Sequence, residues 1–366
     1  MTDTNERRCP GCGAILQSDS PDKDGYVPAS SLKKEGRVIC QRCFKLVHYH
    51  QMTRANATSD DYLNLLDTIA DDDALVVYVL DLFDFNAGLI PGLSRHIGGN
   101  DILVLANKRD ILPKSLKDHK IEMWVRRQLK EDGLKVKDVI LTSGKKNYQF
   151  DEIMDTIERL RRGRNVYVVG VTNVGKSTLI NGLLRSAAGV TGGLSVSEFP
   201  GTTLGLIRLG LADGTALYDT PGIVNEHQMT SRVPEDELVY CLPQGELRPQ
   251  TFQLQSGQTL WLGGLARVDI TCDDKVSVTT CFARKLNIHR TKTVNADGLY
   301  DRHQTLQPCL ESVAETRDFK HYEFTINDKT RDLCVAGLGF VTVRGACRVS
   351  VYAPDGVDVI TREALI

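Results

Sequence analysis

The chain has 366 residues, a formal net charge of −2, 41% hydrophobic and 25% charged residues. That is an ordinary globular composition with room for roughly two or three domains. It excludes a globally basic nucleic-acid-binding protein, so any basic surface has to be local. The longest apolar run, residues 75–82, is broken by Asp81 and is far too short to cross a bilayer. The first eight residues are polar and include Asp3 and Glu6, unlike a secretory signal. A cytoplasmic protein with no membrane partner is expected.

Two CxxC pairs open the chain, Cys9-Pro-Gly-Cys12 and Cys40-Gln-Arg-Cys43. Four thiolates in this arrangement suit tetrahedral Zn2+. Four sulfur ligands leave no open position, so a structural ion is expected in a module spanning residues 1–55. The competing readings are redox pairs or disulfides. No thioredoxin-like βαβ pattern surrounds the cysteines, and the expected compartment is reducing, which favours zinc. Between 33 and 54, Lys33, Lys34, Arg37, Arg42, Lys45 and Arg54 stand against the single acid Glu35, with Phe44, His48, Tyr49 and His50 interleaved. Either this mixture grips RNA phosphates and stacks on bases, or its aromatics pack the small module and its charges are solvated.

Residues 56–226 alternate strands and helices. Apolar runs predict strands over 75–81, 102–107, 139–142, 165–170, 205–209 and 216–219. Amphipathic stretches predict helices over 115–131, 151–162 and 176–184. That alternation gives an α/β domain with a mainly parallel sheet and helices on both faces.

Polar motifs end these strands. Asn107-Lys108-Arg109-Asp110 follows the second. The Asp110 carboxylate can accept from both N1–H and the exocyclic amine of guanine, a donor pair adenine lacks. Lys108 can lie along the base, and Asn107 can tie this loop to another. Thr142-Ser143-Gly144-Lys145 follows the third strand, where a backbone N–H near Ser143 and Gly144 can meet guanine O6. The run Gly170-Val-Thr-Asn173-Val174-Gly175-Lys176-Ser177 fits G-x-x-x-x-G-K-[ST] between a strand and a helix. Its backbone N–H groups, with Thr178 one residue further on, would cradle phosphates at a helix N-terminus. Lys176 would reach the β- and γ-phosphates, and Ser177 would ligate Mg2+. Asp219-Thr-Pro-Gly222 ends the last strand, where Asp219 can hold Mg2+ through water and Gly222 can present its N–H to the γ-phosphate. Every motif sits at the carboxyl end of a strand, where open α/β sheets bind ligands.

Together they specify a P-loop GTPase, but in an unusual order. Ordinary GTPases run phosphate loop, switch loops, NKxD and then the small-residue motif. Here NKRD and TSGK come first, so the domain is expected to be circularly permuted. With CPGCG…CQRCFKLVHY ahead of that order and GLARVDIT, NIHRTK and YAPDGVDVITREALI behind it, nearly the whole chain resembles the YqeH family of circularly permuted GTPases. The resemblance implies a role in assembly of the small ribosomal subunit, with rRNA or ribosomal proteins of that subunit or its precursor as partners. By resemblance to GTT-containing GTPases, Thr203 of Phe199-Pro-Gly-Thr-Thr203 is the switch ligand of Mg2+, with Thr202 second. Ile223 occupies the position at which many small GTPases carry a water-orienting Gln, so hydrolysis is expected to be slow. Asn173 stands where related potassium-activated GTPases place a ligand for K+. It either serves that ion or merely caps the loop.

Residues 227–366 read as a β-rich domain, with strands over 259–262, 267–271, 276–282, 322–326, 333–335, 341–343 and 346–352. It offers no catalytic constellation. Arg284, Lys285, His289, Arg290 and Lys292 form a basic cluster that either contacts RNA or is an exposed β surface. The expected function is a GTP-hydrolysing switch in ribosome assembly. The rival is a zinc-stabilised scaffold that binds GTP, turns it over negligibly and contacts proteins only.

Overall fold

The computed structural model describes residues 59–188, 206–300 and 319–366 except 328, together with 202–203, 306 and short pieces of the first 41 residues. Cys12, Cys43, the basic and aromatic residues picked out between 33 and 54, and the segment 189–201 lie outside the described residues. The chain divides into two compact units. The first comprises 1–80, 90–107 and 129–224, and the second comprises 81–89, 108–128 and 225–366.

The first unit is built on a seven-stranded sheet. Its strands are β1 (Ala74–Asp81), β2 (Asp101–Asn107), β3 (Asp138–Leu141), β4 (Asn165–Val169), β5 (Thr202–Thr203), β6 (Leu206–Gly210) and β7 (Ala216–Asp219). Their spatial order is β3-β2-β1-β4-β7-β6-β5. The pairs β2–β3, β1–β4 and β4–β7 are parallel, whereas β6 turns back antiparallel on β7 and β5 on β6. All eight residues of β1 are buried, as a central parallel strand covered on both faces requires. Starting from β4 and passing through β7 to β1, β2 and β3, the sheet has the path of an ordinary GTPase domain. The chain has simply been opened between β7 and β1.

Among the described residues the longer helices are α1 (Ser59–Asp67), α2 (Asp118–Glu131), α3 (Phe150–Arg161) and α4 (Lys176–Ala188), of which α2 falls mostly in the second unit. In α3 the buried residues Phe150, Ile153, Ile157 and Leu160 recur at helical spacing, and the chain leaves through left-handed Arg162 and Gly163. In the basic run 159–164, Arg159 and Arg162 are exposed, whereas Arg161 is buried and binds Glu158 and Asp213, and Arg164 binds Asp73 and Asp101. The guanidinium groups pin the helix end to the sheet's amino-terminal edge.

The second unit contains two five-stranded antiparallel sheets. The strands are β8 (Gln250–Leu254), β9 (Gln258–Leu262), β10 (Ala266–Thr271), β11 (Val276–Phe282), β12 (Ile288–Lys292), β13 (Phe319–Ile326), β14 (Arg331–Val335), β15 (Gly339–Arg344), β16 (Cys347–Pro354) and β17 (Val359–Glu363). The orders are β12-β9-β10-β16-β13 and β17-β14-β15-β11-β8. Alternate residues, such as Leu260, Val268, Ile270, Val349 and Val351 from one sheet and Val278, Leu333, Val341 and Val343 from the other, share one core.

The loop after β1 belongs to this unit. Asp84 Oδ2 accepts from Gly337 N–H at 3.0 Å, and Asn86 Oδ1 accepts from Arg362 Nη1 at 2.8 Å. Burial, aided by neighbouring Asp81, pushes the Asp84 carboxyl up to about 7. Among the described residues no helix is long and apolar enough to cross a membrane.

Candidate nucleotide-binding site

The phosphate loop leaves β4 and enters α4. Gly175 has φ of 88°, and a Cβ there would come within 2.5 Å of Asn107 Nδ2. Only glycine allows both the turn and that approach. Asn107, buried at the end of β2, uses both ends of its amide. Nδ2 donates to Val174 O at 2.7 Å, and Oδ1 accepts from Gly144 N–H at 2.9 Å. One side chain thus joins the phosphate loop to the loop after β3. Gly144 is small for a reason, since a Cβ would lie 3.1 Å from Leu179 N in α4. Its N–H is already held by Asn107, so offering it to guanine O6 means sharing or exchanging that bond. Ser143 is buried beside it.

Gly175→Ala is expected to weaken GDP binding about thirtyfold, combining left-handed strain with loss of the Asn107 contact. Titration with a fluorescent GDP analogue measures it.

Lys176 and Asp219 meet at the bottom of the loop. Nζ lies 3.5 Å from Asp219 Oδ1, with side-chain exposures of 5% and 4%. Nζ also donates to Thr220 O and lies 3.4 Å from Thr220 Oγ1. Burial pushes the Lys176 ammonium below its usual range, and the Asp219 charge opposes that shift. Ser177 is half-buried and Thr178 exposed on the first turn of α4. The Ser177 hydroxyl and Asp219 carboxylate are hard oxygen donors of the kind Mg2+ takes. The carboxyl end of the Asp219-Thr-Pro-Gly222 loop is tied back to the phosphate loop, because Thr172 N–H donates to Ile223 O at 2.8 Å. Asn173 is exposed at φ of 64°, a left-handed turn that asparagine tolerates. Gly170 directly follows β4, and Thr202 and Thr203 form β5.

In the second unit, the loop carrying Lys108 and Asp110 is organised by residues that motif reasoning missed. Asp81 Oδ2 accepts from Lys108 Nζ at 2.6 Å, while Oδ1 accepts from Phe83 N–H. Arg109 binds Asp118 Oδ1 at 2.7 Å and the carbonyls of Leu112, Pro113 and Leu116. The signal for Asp81 was present in the sequence as a lone charge ending an apolar strand. Tyr62 in α1 was also missed, and its Oη lies 3.0 Å from Thr220 Oγ1.

In the N-terminal segment Cys9 and Cys40 are both buried, and Cys40 N–H donates to Cys9 Sγ at 3.3 Å. Among the described residues no cluster of three or more His, Cys, Asp or Glu side chains is placed to hold a metal. The described residues contain only half of the cysteine set. Of the C-terminal basic cluster, Arg284 donates to Glu246 O, and Arg290, on the edge strand β12, donates to Gln258 Oε1.

A strand-to-helix phosphate loop with DTPG beside it, and an asparagine linking that loop to the TSGK turn, define a P-loop GTPase domain in circularly permuted order. The chain belongs to the YqeH family: it is 46% identical over 362 residues to the uncharacterized protein YqeH of Bacillus subtilis (strain 168), covering 98% of this chain and 99% of that one. It is 30% identical over 398 residues to NO-associated protein 1, chloroplastic/mitochondrial, of Arabidopsis thaliana, covering 94% and 70%. Residues 275–365 match the family model described as YqeH-like, C-terminal, and residues 165–257 the one described as 50S ribosome-binding GTPase. Among solved structures, GDP-bound TM YlqF matches at 24% identity with a TM-score of 0.32, covering 49% of this chain and 66% of that one. That similarity is too slight to bear on the fold.

Proposed function

We propose that this chain is a cytoplasmic GTP-hydrolysing switch acting in assembly of the small ribosomal subunit, divided into a zinc module (1–55), a permuted GTPase domain (56–226) and a β-rich domain (227–366). The observation that carries the nucleotide reading is the junction at Asn107. It brings the end of the NKRD strand, the TSGK turn and the phosphate loop into hydrogen-bonding contact. Asp110 then reads the guanine edge, Lys108 runs along the base, and Gly170–Thr178 hold the phosphates. Ser177 and Asp219 hold Mg2+, joined by Thr203 and Gly222 N–H when the γ-phosphate is present. The ribosomal part is supported by the matching GTPase model, whose description, 50S ribosome-binding GTPase, names the large subunit; the small-subunit assignment rests on the family resemblance.

The first test is nucleotide selectivity. The chain should bind GDP well over ADP, and Asp110→Asn should transfer that preference to xanthine nucleotides. An amide can donate to the xanthine C2 carbonyl where the carboxylate could only accept. Equal binding of ADP and GDP by the wild type overturns the reading. Cosedimentation with 30S and 50S particles and their precursors, in GTP and in GDP, tests the partner. Preference for the large subunit would refute the small-subunit assignment.

Ile223, in the position after DTPG, supplies no water-orienting group and favours slow turnover. It also keeps alive the rival reading of a GTP-dependent scaffold that contacts proteins and not RNA. We assign Asn173 to K+, which would offset charge developing during hydrolysis. Faster turnover in K+ than in Na+, lost in Asn173→Ala, supports it, and equal rates refute it. Cys9, Cys12, Cys40 and Cys43 are proposed to hold one Zn2+. The amide-to-sulfur bond between Cys40 and Cys9 suits a thiolate ligand, and zinc analysis of the protein and of Cys9→Ser checks it.

A further inference from the structure

Tyr62 comes from none of the nucleotide motifs. It lies on α1, buried, and its hydroxyl sits against the second residue of DTPG. Thr220 Oγ1 has one hydrogen and two carbonyls within reach, Val168 O at 2.9 Å and Pro221 O at 3.3 Å. Tyr62 Oη lies 3.0 Å from the same Oγ1, and the two hydroxyls share one hydrogen bond in which either can donate. Tyr62, Thr220 and the acceptor carbonyl's residue Val168 are all buried, so the arrangement is stiff.

Lys176 competes for the same residue. Its ammonium donates to Thr220 O and approaches Thr220 Oγ1 at 3.4 Å. Engaging a β-phosphate requires Lys176 to exchange these bonds for phosphate oxygens. Whether Thr220 lets it go depends on what else satisfies Thr220.

We infer that Tyr62 is a positioning residue for nucleotide binding: its hydroxyl bond to Thr220 keeps the DTPG loop in place when Lys176 leaves Thr220 for the phosphates. The inference rests on the reading of Lys176 as the phosphate ligand. It makes α1, the first described helix after the cysteine segment, part of the phosphate site. Without the Tyr62 hydroxyl, Thr220 Oγ1 keeps only Lys176 as a side-chain partner among the described residues. That opposes release of Lys176 to the phosphates and does not touch the chemical step.

Tyr62→Phe keeps the ring and removes only the hydroxyl. It is expected to raise KM for GTP and Kd for GDP about tenfold while kcat stays within about twofold. In a Thr220→Val background the same substitution should change nothing further, because the bond is already absent. Thr220→Val also removes the bond from the other side should Tyr62→Phe fail to fold. Unchanged affinity in Tyr62→Phe, a fall in kcat at constant KM, or additive effects in the double variant overturn the proposal. So does loss of affinity only in Tyr62→Leu, which would mean the ring acts by packing. If the wild type binds ADP as well as GDP, the guanine reading fails separately, and the Tyr62 effect is still read on either diphosphate.

Discussion

Replacing Lys176 with methionine lowers kcat/KM for GTP by about a thousandfold, the scale of losing one charged contact to a developing phosphate charge. The same change destabilises the nucleotide-free protein by about 3 kcal/mol, for a different reason. Lys176 and Asp219 are almost wholly buried and 3.5 Å apart. Methionine fills the lysine's volume but leaves the Asp219 carboxylate in a low-dielectric setting without its cation, which costs more than the pair itself contributes. Thr220 O loses a donor as well. The two effects separate in Lys176→Met/Asp219→Asn. Removing both charges recovers most of the stability in urea unfolding and none of the turnover. Recovery of turnover would mean that Lys176 serves the fold and not the phosphate.

The central strands and motif loops were legible because their physics is local. The run 75–81 reads as a buried strand from the unbroken apolar residues 75–80, and β1 is that strand. Four strands escaped, β5, β8, β12 and β17, and all four are sheet edges. Gln250–Leu254 is mostly exposed and Ile288–Lys292 is exposed or half-buried, so neither shows the alternation that betrays a half-buried strand. Their pairing is fixed by the neighbour, a long-range fact the local pattern does not hold. β13, also an edge, begins at Phe319 and not at 322 for the same reason.

The site was legible to the depth of its motifs. Asn107, Lys176 and Asp219 announce themselves by spacing, and their supports do not. Asp81 is far from Lys108 in sequence and meets it only because β1 and β2 end in neighbouring loops. Tyr62 sits in a short helix with nothing in its own sequence to distinguish it from a core tyrosine. Neighbours supplied by topology are invisible to patterns that run along the chain.

Arg362 shows how far such support extends within the second unit. Its side chain is 2% exposed and that of its partner Asp332 is 0%. The guanidinium carbon lies 4.8 Å from the Trp124 ring centre and 4.9 Å from that of Phe340. Nη1 donates to Asn86 and Nε to Asp332, while the buried Nη2 has no hydrogen-bond partner among the described residues. Arg362→Leu therefore costs about 4 kcal/mol, chiefly by stranding Asp332. Burial already holds the Asp332 carboxyl above its usual range, and Arg362 is the first influence pulling it back. An acid whose folded pKa is raised contributes stability below its unfolded pKa and loses it as pH rises through the folded one. Removing Arg362 raises the folded value further, so the variant's deficit is largest at neutral pH and shrinks on acidification. Arg362→Leu/Asp332→Asn recovers much of it at every pH.

The loop held by Arg362 through Asn86 is the one in which Asp84 binds Gly337 N–H and which Asp81 begins, and Asp81 binds Lys108. Loosening it frees Lys108, so Arg362→Leu also weakens GDP binding by about threefold to tenfold, although no substituted atom touches the nucleotide. Unchanged GDP affinity in a folded Arg362→Leu would show that the base loop stands without the C-terminal sheet.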